Sequence, residues 1–253
     1  MKHLAFYSFL LFMSISAFEV RSESELRFVA EDLYPLHFID DAKHPQGFLV
    51  DLVEAVLLEC QCKGHIEIMP QARAFKELRT DENTLMMSLL KTPKRTSEFE
   101  FLGTVFYAHA YLIGLKSKKY NLTNLKSAHD FRVSTVRGYY SQSFLQQAGF
   151  STDYNLVLAP EPASLLQMLY KNRTDLVLTN TLHLEKELQS IGLDPTQIEK
   201  KLKLSDFPNE LHFVANHRLH SDLISRLKHA LQKVKVSPIY PSLLEKWQLK
   251  LSE

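Results

Sequence analysis

Short apolar runs alternate with amphipathic helical patterns along this chain, and this alternation limits its possible folds more than any other feature. Residues 26–30 predict a strand, and residues 48–59 place their apolar side chains on one helical face. Residues 65–69, 85–90 and 106–115 predict further strands, with a helix over residues 71–80. A strand–helix–strand alternation favours an α/β layer with a parallel sheet.

The same alternation begins again after a polar, basic stretch at residues 116–124. Strands are predicted at residues 131–136, 156–159, 175–178, 201–204 and 212–215, and helices at residues 140–148, 163–170, 182–191, 221–235 and 242–250. Pro208 and Asn209 interrupt the pattern at residues 205–210. The sequence therefore predicts a second α/β lobe.

Length and charge agree with a two-lobed protein that has no highly charged partner. The chain has 253 residues, which suffices for two lobes of roughly a hundred residues each. Its 30 basic residues nearly cancel its 29 acidic residues. No global field is available to hold nucleic acid, so we expect no nucleic-acid partner.

The N-terminus has the pattern of a secretory signal peptide. Lys2 and His3 precede an apolar run over residues 4–17, which is too short to span a bilayer. We assign residues 1–22 to the signal peptide, with an earlier cut after Ala17 and an uncleaved anchor as alternatives. Because no cysteine directly follows the run and no later segment has 18 apolar residues, we expect neither a lipid anchor nor membrane insertion.

Cysteine and histidine spacing gives no metal site. Cys60 and Cys62 lie at the end of a predicted helix, where side chains two residues apart diverge, so a bridge requires that the helix has already ended. Free or weakly bridged thiols are therefore favoured over a structural disulfide. The 11 histidines show neither HxxxH nor HExxH spacing. We expect neither a metal nor another cofactor.

Several short motifs occur in a fixed order along the chain. They are YPLHF at residues 34–38, GFLVDL at 47–52, MPQARA at 69–74, TPKR at 92–95 followed by Phe99 and Phe101, NRTD at 172–175 and EKW at 245–247. In this order they resemble the extracytoplasmic solute-binding proteins of family 3. That family delivers polar amino acids and related small solutes to ABC transporters.

The resemblance implies the two-lobed type II periplasmic-binding fold, with a mixed sheet flanked by helices in each lobe and two hinge crossings. We place the first lobe at residues 23–115, the second lobe at residues 116–205, and the completion of the first lobe with the C-terminal helices at residues 206–253. The crossings would then lie at residues 116–124 and 205–210. The implied partners of this periplasmic protein are a small-molecule solute and the membrane permease of an ABC importer, and we expect a monomer.

Arg95 is the first candidate for contact with the solute. It matches the position of the family's carboxylate-binding arginine, and a guanidinium can hold a carboxylate through two charge-assisted bonds. Alternatively, it is a surface arginine beside Lys91 and Lys94. The resemblance also places Ser88 at the solute, while Leu90 replaces a frequent hydroxyl of the family.

Other candidates follow the strands and helices of the first lobe. Arg73 either faces the cleft as a second positive charge or is a solvated helix residue. Glu31 and Tyr34 flank the end of the first strand, where the family reads the distal part of the ligand. Tyr34, Phe38 and Tyr107 offer flat faces for an apolar or cationic group, with core packing as the alternative and the favoured reading for Phe38.

In the second lobe, a strand-to-helix turn at residues 136–141 is expected to meet the same carboxylate. Backbone N–H groups at a helix start favour an anion, and Gly138 allows close approach. This turn contains the candidates Arg137, Tyr139 and Ser141, and a purely structural turn is the alternative.

Asn180 is the main departure from the family pattern. Counting from Asp175, it occupies the position where amino-acid binders commonly have an aspartate that pairs the α-ammonium. An amide supplies no countercharge, so we expect weak binding of ordinary amino acids.

The preferred interpretation is a receptor without catalytic residues. One alternative is an exported enzyme on the same scaffold, similar to cyclohexadienyl dehydratases, with Glu31 as proton donor. Another is a ligand-sensing partner of a membrane receptor.

Overall fold

The computed structural model describes residues 25–180, 182 and 184–250. The expected signal peptide at residues 1–22 lies outside the described residues. Within the described ranges, no helix is both long enough and apolar enough to cross a membrane.

The described chain folds into alternating strands and helices. The strands are β1 (Leu26–Ala30), β2 (Phe38–Ile39), β3 (Pro45–Gln46), β4 (Gly64–Ile68), β5 (Thr84–Leu90), β6 (Phe99–Tyr107), β7 (Ala110–Leu115), β8 (Val133–Val136), β9 (Leu156–Ala159), β10 (Leu176–Asn180), β11 (Ile198–Lys203) and β12 (Glu210–Asn216). The α-helices are α1 (Phe48–Cys60), α2 (Gln71–Thr80), α3 (Pro93–Glu98), α4 (Tyr140–Gln147), α5 (Pro162–Tyr170), α6 (Leu184–Ser190), α7 (Ser221–Val236) and α8 (Ile239–Lys246). Leu125–Ala128 and Pro195–Gln197 form 3₁₀ turns.

Two five-stranded mixed sheets form the centres of two lobes. The first sheet has the order β4-β1-β5-β12-β6, and β12 is its antiparallel member between β5 and β6. The second sheet has the order β11-β7-β10-β8-β9, with β7 antiparallel to both of its neighbours. The two-lobed α/β fold with mixed sheets flanked by helices is therefore confirmed.

Helices cover both faces of the first sheet. The apolar side of α1 and that of α7 enter one core with the inner face of the sheet, together with Tyr240 of α8. Ala74 and Leu78 of α2 pack on the opposite face. Burial of apolar area stabilises the fold by roughly 25 cal/mol per Å². Packing of helices on both faces therefore holds the sheet, and with it the strand ends at the site, in place.

The chain passes between the sheets at a different point from the one expected. The predicted single strand over residues 106–115 is wrong: β6 ends at Tyr107 in the first sheet, and β7 begins at Ala110 in the second. The expected lobe boundary at residue 115 and the crossing at residues 116–124 are corrected accordingly, since β7 belongs to the second sheet. The return passage lies between β11 and β12, and Ala108 N donates to Asn209 O across the two passages at 2.8 Å.

Helix α1 begins and ends at residues with special backbone geometry. Gly47 precedes the helix with a φ of +133°, and a Cβ there would lie 2.6 Å from the carbonyl carbon of Leu36. Gln61 ends the helix in the left-handed conformation, with backbone bonds to the last turn. This end allows Cys60 and Cys62 to be joined by a disulfide, so the free thiols, one of the two favoured alternatives, are wrong.

Candidate functional site

A cleft between the two lobes is the candidate site. It has a volume of about 770 Å³ and is lined from both sheets by residues at or just after the carboxyl ends of β1, β5, β8 and β10. Strand ends in α/β sheets are where ligands commonly bind, because the following loops and helix starts converge there.

Seven of the ten predicted site residues line this cleft. They are Glu31, Tyr34, Ser88, Arg95, Tyr139, Ser141 and Asn180. Phe38, for which core packing was favoured, lines it as well and also packs edge-on against Tyr34 and Trp247. The structure thus brings together candidates from five separate segments of the chain.

The other three predicted residues do not line the cleft. Arg73 is exposed on α2, whose inward positions are occupied by Ala74 and Leu78. Tyr107 ends β6 and is not part of the cleft lining, which includes the next residue, Ala108, instead. Arg137 is exposed at the turn before α4. Each of the three was expected at the cleft because it lies near the end of a strand or helix. Residue spacing does not determine in which direction a side chain at such an end points.

Arg95 lies on α3, a helix that the sequence begins with Thr92 as N-cap and Pro93 at its first position. Its guanidinium donates from Nη1 to Leu90 O at 3.0 Å and lies 5.2 Å from the ring centroid of Phe75 and 5.8 Å from that of Tyr140. Burial lowers the pKa of Arg95 to about 10.

No carboxylate among the described residues lies within ion-pair distance of Arg95. Glu98, an acid of the same helix, pairs with Arg79 at 3.1 Å instead. The site therefore holds a half-buried, well-oriented cation with no counter-ion from the described part of the chain.

Glu31 follows β1 and is held by donors from both lobes. Tyr139 of the second lobe donates its hydroxyl to one carboxyl oxygen, and Gln71 Nε2 donates to the other at 3.2 Å. Burial raises the pKa of Glu31, an effect that the Tyr139 hydrogen bond opposes. Burial, together with the neighbouring carboxyl, also raises the pKa of Tyr139.

His37 fixes the end of β1 beside β5. Its ring nitrogens lie 2.7 Å from Glu31 O and 2.7 Å from Ser88 Oγ, and the side chain is fully buried. The imidazole thereby sets the positions of both Glu31 and Ser88 at the cleft floor.

The second-lobe wall near the β8 and β10 ends is polar and uncharged. Thr135 and Ser141 share a short hydrogen bond between their hydroxyls. The Asn180 side-chain oxygen accepts from Leu182 N at 3.2 Å. This wall can offer hydroxyl and amide hydrogen bonds but no countercharge for a cation.

Three contacts join the lobes across the cleft. They are the Tyr139–Glu31 hydrogen bond, Lys186 Nζ at 3.4 Å from the ring centroid of Tyr34, and the Arg95 guanidinium at 5.8 Å from the ring centroid of Tyr140. The structure therefore has its lobes in contact at the site.

Sequence reasoning missed several lining residues. Gln71, Tyr140, Lys186 and Glu187 all lie in the first turn of a helix that follows a cleft-side segment. A place in the first turn of such a helix could have indicated that a residue lines the cleft. It does not indicate which residue of the turn points inward. Glu187 is half-buried, and burial raises its pKa.

No group of three or more histidine, cysteine, aspartate or glutamate residues able to hold a metal ion occurs in the described ranges. The arrangement of cleft, fixed cation and polar wall is that of a binding site between two lobes.

The fold and the interlobe cleft define a class, the two-lobed proteins that bind a small molecule between their lobes. The match of a family model over residues 27–250 makes the assignment specific. The chain belongs to the bacterial extracellular solute-binding proteins, family 3. Its role is therefore solute binding.

Solved structures with the same fold include receptors and a sensor. A histidine kinase sensor domain similar to periplasmic binding proteins has a TM-score of 0.79 and 17% identity, covering 90% of this chain and 97% of its own. An ancestral arginine-binding protein bound to arginine has a TM-score of 0.74 and 19% identity, with coverage of 88% and 97%.

The arginine-, lysine-, histidine-binding protein ArtJ from Geobacillus stearothermophilus has a TM-score of 0.75 and 15% identity, with coverage of 91% and 97%. At these identities the similarity establishes the fold alone. The search of curated proteins gave no match.

Proposed function

We propose that this protein is a periplasmic, monomeric receptor that captures a small polar solute bearing a carboxylate and delivers it to the membrane permease of an ABC importer. The observation that carries the proposal is Arg95: a cation at the cleft, fixed by Leu90 O and by two aromatic faces, with no counter-ion among the described residues.

Charge balance is the physical reason for a carboxylate. Lobe closure removes water from Arg95, and an unpaired charge out of water costs several kcal/mol. A carboxylate on the guanidinium offsets this cost through two parallel charge-assisted bonds. The Ser88 hydroxyl, hydrogen-bonded to His37, lies in β5 two residues before Leu90, whose carbonyl oxygen accepts from Arg95. It can add a hydroxyl contact to the solute.

The test is binding by variants of two adjacent residues. Arg95→Ala is expected to cost roughly 2–5 kcal/mol of binding free energy, and Arg95→Lys to recover little, because an ammonium lacks the planar fork. Lys94→Ala is the matched control, since Lys94 is exposed on the same helix.

The solute is first identified by mass spectrometry of small molecules that co-purify with the protein, and affinities are then measured by titration calorimetry. Equal, small losses in the two alanine variants would refute the role of Arg95. Delivery is tested by uptake of that solute in cells with and without the gene, and unchanged uptake would contradict the importer role.

A second candidate is ligand sensing through a membrane receptor. The solved histidine kinase sensor domain of the same fold favours it. A solute-dependent complex with a receptor, together with unchanged solute uptake in the deletion strain, would support this candidate over import.

The enzyme alternative has one observation in its favour, the raised pKa of the buried Glu31, which suits a proton donor. We propose a non-enzymatic role because both carboxyl oxygens of Glu31 are already held by Tyr139 and Gln71. Conversion of prephenate by the purified protein, lost in Glu31→Gln, would reverse this preference.

A further inference from the structure

We infer that the solute is a monoanionic carboxylate with a flat, apolar body and no α-ammonium group, rather than a zwitterionic amino acid. The inference rests on the proposed receptor function and deepens it by naming the class of solute. Three observations carry it: the charge state of the cleft, the engagement of its inward acids, and the nature of its walls.

The first observation is that the strand ends of the second lobe that line the cleft carry neutral polar groups. Asn180 ends β10, which lies between β7 and β8, and the neighbouring polar groups on that wall are the hydroxyls of Thr135 and Ser141. The ammonium nitrogen of an α-amino acid lies two bonds from its carboxylate carbon. A zwitterion held by Arg95 would therefore bring its ammonium to a region where this wall supplies no countercharge.

The second observation is that the inward acids are already engaged. Glu31 accepts from Tyr139 and Gln71, one donor on each carboxyl oxygen. Glu187 is likewise not free of interactions within the protein. Half-buried Asp40 accepts from His44 N at 2.8 Å. Asp32, Asp41 and Glu161 line the cleft at exposed positions, where water screens their charge.

Of the two cations that line the cleft, Lys186 lies against the Tyr34 ring, and Arg95 has no counter-ion among the described residues. The Arg95 position therefore requires one negative charge, which a simple carboxylate provides. An added ammonium that paired with Glu31 would have to displace one of the two donors that this carboxyl group already has.

The third observation is the apolar character of the walls around these polar groups. Tyr34 and Phe38 meet edge to face with centroids 5.0 Å apart on one side of the cleft, and Tyr140 and Phe207 do so at 5.4 Å. Leu90 lines the cleft beside Arg95. Aromatic faces and edges of this kind pack well against a flat hydrocarbon ring.

The experiment compares two probes that differ by one ammonium group. Titration calorimetry of the mature protein, freed of bound solute by unfolding and refolding, measures 3-phenylpropanoate and L-phenylalanine, with L-arginine as a third probe. We expect 3-phenylpropanoate to bind at least about tenfold more tightly than L-phenylalanine, because the buried ammonium has no partner. Arg95→Ala should remove this binding, and Lys94→Ala should leave it unchanged.

A variant at the uncharged wall gives a second, independent arm. Asn180→Asp adds a carboxylate where we infer none, so it should narrow or reverse the preference between the two matched probes. A preference that stays unchanged in folded Asn180→Asp overturns the inference about this wall.

The outcomes separate the inference from the function on which it rests. If L-phenylalanine or L-arginine binds the unmodified protein as tightly as 3-phenylpropanoate and loses binding in Arg95→Ala, the inference is overturned and the receptor proposal stands. If none of the three probes binds the folded protein, the inference is overturned, and the co-purified solute alone then decides the receptor proposal.

Discussion

Removing a single hydroxyl from the cleft should open the solute-free protein. Tyr139 and Glu31 belong to different lobes, and the hydroxyl of Tyr139 donates to the Glu31 carboxyl only when the lobes are together. Tyr139→Phe keeps the ring and deletes this donor. The cost falls on the closed state alone, because in an open state water hydrates the same carboxyl oxygen.

The magnitude follows from the burial of the acceptor. Loss of one partner from a buried hydrogen-bonded pair costs about 1–3 kcal/mol. Over that range the ratio of closed to open molecules falls by about 5- to 150-fold. The contacts of Lys186 with the Tyr34 ring and of Arg95 with the Tyr140 ring still join the lobes in the variant.

Small-angle scattering of solute-free protein measures the effect as an increase in the radius of gyration. Tyr140→Phe is the matched control, since Tyr140 is the next residue, its ring contacts Arg95, and its hydroxyl has no hydrogen-bond partner among the described residues. An unchanged radius in Tyr139→Phe, or an equal increase in both variants, would show that this hydrogen bond does not hold the lobes together.

Two further predictions concern stability. Because burial raises the folded-state pKa of Glu31 above its ordinary value of 4.5, its contribution to stability is present below that value and is lost as pH rises through the raised pKa. The stability of wild type relative to Glu31→Gln should thus fall with rising pH in thermal unfolding from about pH 4 to about pH 8, and a constant difference would contradict this. Gly47→Ala should lower the free energy of unfolding by more than about 3 kcal/mol, because its Cβ meets the Leu36 backbone at a φ of +133°. Gly138→Ala, at a φ of +80° with open space around the new Cβ, should cost about 1–2 kcal/mol, and equal losses in denaturant unfolding would refute the steric argument.

Much of the fold could be predicted because apolar periodicity reports packing directly. The prediction at residues 26–30 matches β1, and those at residues 71–80 and 221–235 match α2 and α7 to within a residue. Short elements could not be predicted from apolar periodicity. Helix α3 has six residues, too few to show a repeating helical pattern, and β2 and β3 have two residues each. The passage between the sheets escaped as well, because residues 106–115 read as one apolar run and the change of sheet at Ala108 and His109 carries neither glycine nor proline.

The candidate site was predicted in part, and the limits have a physical cause. Strand ends locate a cleft, so Glu31, Ser88 and Asn180 could be placed there from spacing and family resemblance. The direction in which a side chain points could not be predicted from spacing, and Arg73 is the example. Its place in the sequence is compatible with facing the cleft or the solvent, and Gln71, two residues away, lines the cleft instead. Contacts between distant segments, such as that of Tyr139 with Glu31, have no local sequence signal.

The position of β12 has a consequence for how the molecule is made. This strand comes late in the chain, yet it lies inside the first sheet between β5 and β6. The core beneath that sheet also includes Tyr240 and receives Trp247. All five strands of the second sheet precede β12 in the chain. As the polypeptide emerges during synthesis, the second lobe therefore has all its strands first. The first lobe waits for β12, α7 and α8, so the lobe that contains β1 is the one that must finish folding last.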